Sequence, residues 1–234
     1  MGGMVRRRPR SSAYGAIGQV RNSPYRVGMA RMSPDERREA IVDAALEVMA
    51  RQGIAGTTVR DVAAELGTSS GLIHHYFDSM DDLLAEAFAR VAGRDLAEMR
   101  DAVERGSGPV ERLSLFFDVY ARTEETSILQ VWLDAWAEAS RRPTIQQISR
   151  HLNEEWHALL VEILREGVAQ GAMASDDPVS AAWRILSLLD GLMLQAVAHD
   201  GAVTFSQVDV WSRAGAEREL GLRPGQLSGV RTHI

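Results

Sequence analysis

Apolar residues recur at helical spacing along the chain from residue 33 to about residue 221. Ile41, Ala44, Ala45, Val48 and Met49 form the stripe of a first helix that starts at Ser33-Pro34-Asp35-Glu36 and ends at Gly53. Ser33 suits the cap, Pro34 the first helical position, and Glu36 closes a capping box. Val59, Val62, Ala63 and Leu66 make the apolar face of a short second helix, begun by Thr58 with Asp61 and ended by Gly67. Thr68, Ser69 and Ser70 can then satisfy the free N–H groups of a third start, with Leu72, Ile73, Tyr76 and Phe77 as its buried side. Helix, tight Gly-containing turn and short helix is a helix-turn-helix, whose second helix enters a DNA major groove with its N-terminal residues nearest the base edges. Asp78, Ser79, Asp81 and Asp82 place acceptors and negative charge at the next start, and that helix runs to about Arg105.

After the break at 106–109 the pattern predicts helices at roughly 109–123, 125–141, 144–170, 178–199 and 204–221. Pro109, Pro143 and Pro178 mark starts, and Gly171 and Gly201 mark stops. The run 181–198 is apolar nearly all round, which implies burial on several sides. Residues 1–32 lack periodicity and are rich in Gly, Pro, Ser and Arg, so they read as a disordered arm. The arm either reaches a minor groove or phosphates, or is an unstructured leader, since Met29 and Met32 could each begin translation. The expected organisation is all-α: arm 1–32, a three-helix DNA-binding domain 33–78, a helical ligand-binding and dimerisation domain 79–222, and a flexible tail 223–234.

The stretch 57–83 resembles the DNA-binding domain of the TetR family of bacterial repressors. The residues that carry the likeness are Thr57-Thr58, Asp61-Val62-Ala63, Gly67, Ser69-Ser70-Gly71-Leu72-Ile73, Tyr76-Phe77 and Leu83, all in one register. Two positions depart from the family pattern. His74 stands where many members have tyrosine, and Met80 where many have a lysine that touches phosphate. His74 can still donate to a phosphate and Met80 cannot. More weakly, Trp132, Trp136, Ala139 and Pro143, together with Asp190-Gly191-Leu192 and Leu194, look like the ligand domains of the subgroup that includes choline-responsive betaine-pathway repressors.

Charge changes the picture. The net charge of −6 on 234 residues looks wrong for a DNA binder until it is divided. Residues 1–32 carry seven Arg and no acid, whereas residues 33–80 carry four Arg and eight acids. The helical DNA-binding unit is therefore itself acidic, and the arm should supply much of the nonspecific attraction. Hydrophobic residues at 45% suffice for a packed core, and no apolar run is expected to approach the roughly 20 residues that span a bilayer. With no cysteine there is neither disulfide nor thiolate metal site. Without a signal-like segment, a cytoplasmic protein is expected.

For DNA contact the expected residues are Ser70, Gly71, Leu72, His74 and His75 on the second helix of the pair, with Tyr76 reaching phosphate. Thr58, Arg60 and Ser69 should hold the backbone. Gly71 and Leu72 offer only close approach or a thymine-methyl contact, so DNA shape carries part of the specificity. Four tryptophans, Trp132, Trp136, Trp156 and Trp183, with Phe116 and Tyr120, are either core filling or the wall of a pocket for an apolar aromatic or, by cation–π attraction, an organic cation. Asp134 and Asp190 are the carboxylates expected to face it, and Asp190 interrupts an apolar run, so it must be paired.

His151, Glu154, Glu155 and His157 fall within two turns of one helix, but a di-iron site needs a second Glu-x-x-His pair, and the sequence has none. They read as a solvated face, with no metal and no cofactor expected. The last two helices should pair with those of a second copy, where Gly191 permits close approach. The reading is a homodimeric regulator that binds a double-stranded palindromic operator and is released by a small molecule, with neither catalysis nor a membrane. The alternatives are a helical enzyme or metal carrier in which the helix pair is incidental, and a ligand-binding dimer that has lost tight DNA binding.

Overall fold

Each of the expected helices forms, and Ser33, Thr58 and Gly67 cap where the sequence marks them. The computed structural model describes residues 32–121, 126–199 and 201–228. Among the described residues there are nine helices and no strand: α1 Pro34–Gly56, α2 Val59–Leu66, α3 Ser70–Tyr76, α4 Met80–Val103, α5 Pro109–Ala121, α6 Thr126–Ala139, α7 Pro143–Ala169, α8 Pro178–Ala198 and α9 Phe205–Glu219. The Ser33–Glu36 and Thr58–Asp61 capping boxes are both closed in each direction. Gly67 ends α2 in the left-handed region at φ 67°. α1 breaks at Gly53, where the sequence predicts its end, and continues beyond it to Gly56. The expected arm lies outside the described residues but for Met32.

Two hydrophobic clusters hold the molecule. One gathers Ile41, Ala45, Val48, Val62, Ile73, Phe77, Leu84 and Phe88 from α1–α4, and it extends to Val131 and Ala135 of α6 and Ile145 and Leu152 of α7. Met80, at the position where the resemblance implies a lysine, packs partly buried on this cluster. The other gathers Met99 and Val103 of α4, Leu113, Phe116 and Phe117 of α5, and buried residues of α7, α8 and α9. α4, about 36 Å long at 1.5 Å per residue, runs through both clusters.

Three expectations change. The tail is not free from residue 223, because Leu222 and Leu227 are buried in the second cluster. Glu217 accepts from the N–H of Gly225 (2.9 Å) and Leu227 (2.8 Å), and Arg213 donates to the Leu227 carbonyl (2.5 Å). These two buried charged side chains, four apart on α9, find backbone partners in the segment and so fasten it. Residues 229–234 lie outside the described residues.

α8 is not buried on several sides within one chain. Ala181, Ala182, Ile185, Leu186, Leu189 and Met193 face the core, but Val179, Trp183, Leu188 and Leu194 are exposed, as are Val210 and Trp211 of α9. By length and composition α8 also reaches what a membrane span requires, contrary to the sequence expectation, although one side of it is packed in the protein core. Within the chain, close α8–α9 approach occurs at Gly215, where a Cβ would stand 2.5 Å from Leu188 Cδ2. Gly191 has open space beside it.

Candidate functional site

Two sites lie toward opposite ends of α4. At its start, α3 is held by a short inner side: Ile73 and Phe77 are buried, and Tyr76 is half-buried. The guanidinium of Arg38 lies 4.3 Å over the Phe77 ring and bonds Glu86 of α4, fixing the end of α3 against α1 and α4. The outer side is open. Gly71, His74 and His75 are exposed. His75 meets the Tyr76 ring edge-on at 5.2 Å. Ser69 stands at the cap position of α3 without making a side-chain cap bond, so capping does not engage its hydroxyl. Thr58 differs, because its hydroxyl donates to Asp61 Oδ2 at 2.6 Å. The hydrogen bonds from Thr58 and Gln52 hold the Asp61 carboxyl below its ordinary range.

Three of the eight acids in residues 33–80 are engaged by arginines. Glu39 and Asp43 pair with Arg90 of α4, and Glu65 pairs with Arg51. α3 carries no acid. Arg60 is exposed, and no ion pair of it occurs among the described residues. All nine residues expected on the DNA side (Thr58, Arg60, Ser69, Ser70, Gly71, Leu72, His74, His75 and Tyr76) are thus brought into one neighbourhood at the α2 start, the turn and α3.

At the seam between the two clusters lies a cavity of about 510 Å³. Its walls come from α4 (Asp95, Glu98, Met99, Asp101), α5 (Tyr120), α6 (Trp132, Leu133, Trp136), α7 (Asn153, Trp156) and α8 (Leu186, Asp190, Met193). A second, more open space of about 760 Å³ adjoins it across Trp136, Asn153 and Asp190, and is lined by Gln146, Gln147 and Arg150.

The Tyr120 hydroxyl donates to Asp190 Oδ1 at 2.5 Å, which supplies the pairing that this interrupted apolar run demands. Burial pushes the Asp190 carboxyl up to about 6, against the lowering effect of the Tyr120 bond. Burial, and then the Asp190 charge, drive the Tyr120 hydroxyl well above its usual value. The Trp132 indole N–H reaches Asp95 Oδ2 at 3.4 Å. Flat aromatic faces and carboxylates around a concave space are chemistry that can hold an organic cation.

Five of the eight residues expected to bind ligand line this cavity: Tyr120, Trp132, Trp136, Trp156 and Asp190. Three do not. Phe116 is fully buried behind the wall, stacked on Tyr120 (6.2 Å between centroids) and edge-on to Trp156 (5.9 Å). Asp134 lies two residues from both Trp132 and Trp136, about 200° round the helix from each. It therefore faces away, accepting from Gln130 Nε2 at 3.0 Å and reaching Gly53 of α1. Trp183 is seven residues before Asp190, about 10 Å back along α8, where it stacks on His157 at 4.1 Å.

The sequence reading missed Asp95, Glu98 and Asp101, whose spacing of three puts them along one side of α4. That spacing was a signal, but it is also the pattern of any solvated helix face. The polar set on α7 has other engagements: Glu155 pairs with Arg100 at 2.8 Å, and His157 Nε2 lies 2.9 Å from the Val179 carbonyl oxygen.

Comparison with known proteins bears on both sites. Residues 41–87 match the model of the bacterial regulatory proteins of the tetR family, and residues 109–221 match that of the BetI-type transcriptional repressor C-terminal domain. The chain is 35% identical over 171 residues to the HTH-type transcriptional regulator BetI of Agrobacterium fabrum, covering 68% of this chain and 76% of that one. Among solved structures, a transcriptional regulator from Pseudomonas aeruginosa superposes with a TM-score of 0.72 at 33% identity, over 82% of this chain and 94% of that one. A regulator from Saccharomonospora viridis, solved in complex with choline, gives 0.73 at 26% identity, over 80% and 98%.

Proposed function

Because the chain belongs to the tetR family of bacterial regulatory proteins, with a C-terminal half of the BetI type, we propose that it is a homodimeric repressor released from its operator by an organic cation. The family is one of DNA-binding transcriptional regulators. The reading has two functional units, 33–78 and 79–222, no catalytic step, and a cytoplasmic location. α8 serves as a packed interface helix rather than a membrane span. One observation carries the effector: a partly open cavity with Trp132, Trp136 and Trp156 in its wall and Asp95, Glu98, Asp101 and Asp190 around it, against one basic group, Arg105. The choline bound by the Saccharomonospora viridis relative is of this chemistry.

On the DNA side, Ser70, Gly71, Leu72, His74 and His75 enter the major groove. Arg60, Ser69, Thr58 and Tyr76 hold phosphates, with Thr58 contributing less readily than the others because its proton is engaged by Asp61. Any contact from the 1–32 arm adds nonspecific attraction. A single helix pair makes few contacts, so two must act together, at a separation of about 34–36 Å. The exposed apolar side of α8 and α9, with Trp183, Leu188, Leu194, Val210 and Trp211, supports pairing with a second copy. A cation bound between α4 and α8 favours one arrangement of α4, and α4 carries that preference to the start of α3.

Fluorescence anisotropy on the DNA flanking its own gene tests the reading. Affinity falls steeply as salt is raised, and choline at millimolar concentration lowers it further. Salt-independent binding, or none, would remove the repressor reading. Salt-sensitive binding indifferent to choline would remove only the ligand.

A further inference from the structure

We infer that Asp134 is a positioning residue that carries occupancy of the cavity to the DNA-reading helices through α6 and α1, beside the route along α4. The inference rests on the effector reading of the cavity and concerns the opposite face of one of its walls. α6 presents Trp132, Leu133 and Trp136 to the cavity, while Val131 and Ala135 are buried in the cluster that holds α1, α2 and α3 together. A packed helix shifts as a unit, because neither interface is freely deformable.

Asp134 meets α1 at its weakest point. Gly53 leaves helical geometry at φ 76° and ψ 167°, and Asp134 Oδ2 stands 2.9 Å from where a Cβ on Gly53 would be. The left-handed φ requires the glycine, and a Cβ there would also displace the carboxylate. From the bend the connections are short. Thr57 Oγ1 donates to the Gly53 carbonyl at 2.7 Å. Gln52 Nε2 donates to the Gly56 carbonyl (2.9 Å) and to Asp61 Oδ2 (3.1 Å), the carboxylate that caps α2. Beyond the C-terminal end of α6, Arg142 bonds both Glu138 (2.9 Å) and Asp81 in the first turn of α4 (2.5 Å). α6 therefore reaches the elements on both flanks of the helix pair, and Asp134 is its carboxylate contact on the α1 flank, beside the buried Val131 and Ala135.

A double-mutant cycle on the full chain tests the route without needing a ligand. Trp136→Ala disturbs the cavity wall, and Asp134→Ala removes the contact with the bend. Backbone hydrogen exchange is then read at 53–61 and, as control, at 80–84. Trp136→Ala alone speeds exchange at 53–61 by about threefold or more, and this increment disappears in the Asp134→Ala background while that at 80–84 persists. Asp134→Asn, which keeps size and one acceptor, restores at least part of the increment and covers the case in which the alanine variant is poorly folded. An equal increment in both backgrounds, or none at 53–61 in either, overturns the inference.

Choline provides a second arm, with binding followed by tryptophan fluorescence. Choline that binds Asp134→Ala with unchanged affinity, but no longer alters exchange at 53–61, supports the route. Choline that alters it equally in both proteins overturns it. Choline that leaves the fluorescence of the unmodified chain unchanged counts against choline as effector, and the mutant cycle alone then supports or overturns the route.

Discussion

The face around α3 and the cavity between α4 and α8 share one long helix, yet their construction differs in kind. The face is local: α2, the Gly67 turn and α3 span residues 59–76, and the open side follows once Ile73 and Phe77 turn inward. The cavity is assembled from five helices spread over residues 95–197, none of which encloses anything alone. The face must stay solvated and positive enough to approach phosphate: α3 carries no acid, and on α2 Glu65 is paired with Arg51 while Asp61 is held by Thr58 and Gln52. The cavity holds one carboxylate, Asp190, largely away from water, and the cost appears in its raised value, whereas Glu98 and Asp101 are exposed. A DNA reader can be built from sequence neighbours, whereas a ligand chamber requires long-range packing.

Disrupting what both regions depend on gives the largest effect. Trp183→Glu combined with Trp211→Glu puts charge on the exposed α8–α9 face and yields a folded monomer by sedimentation, with operator affinity down by about 100-fold or more. A dimer of unchanged mass would detach that face from self-association.

Next come changes that separate the regions. Asp190→Asn lowers choline affinity by about 30-fold, as for a charged partner worth roughly 2 kcal/mol, and leaves ligand-free operator affinity intact. The same variant melts higher than the parent above pH 6. The native carboxyl has a folded value of about 6, above its unfolded one, so ionising it disfavours the fold as pH rises and the gap closes toward acid. Equal melting temperatures at pH 7.5 would contradict the burial of this group.

A pH profile divides the carboxylates of the chamber from one another. Choline affinity is flat above pH 7 and falls by up to about tenfold per unit once Asp190 protonates below about 6. The other charged groups facing the cavity are Asp95, Glu98, Asp101 and Arg105. A profile that drops only near pH 4 would assign the cation to the α4 carboxylates instead.

The weakest effect is on the DNA side. Arg60→Ala weakens operator binding by about fivefold across sequences, reduces the salt slope by about one and leaves choline binding unchanged. A loss confined to one base position would make Arg60 a base reader.

What was legible follows the same division. Thr58, Asp61, Gly67 and Ser69 name a helix end, a turn and a start by their own chemistry, and the fold reproduces them within a residue. Trp132 and Trp136 share a face by spacing alone, and they do. Asp134 could not be placed in this way. Its position on the back of α6 was readable from spacing, but that the front faces a cavity and the back faces α1 was not. Leu227 is the plainest case: Gly and Pro around it read as a loose end, while Arg213 and Glu217, ten and more residues earlier, hold it in the core.

The helices, their caps, the reading turn and the distribution of charge are written in the local sequence, because periodicity and capping are interactions between residues at most four apart. Packing in three dimensions chose which faces of α4, α6 and α8 meet around a chamber, set Asp134 against the Gly53 bend, and left one side of α8 open. Those outcomes depend on how the helices divide a limited apolar surface among themselves, and no window of local sequence contains that competition.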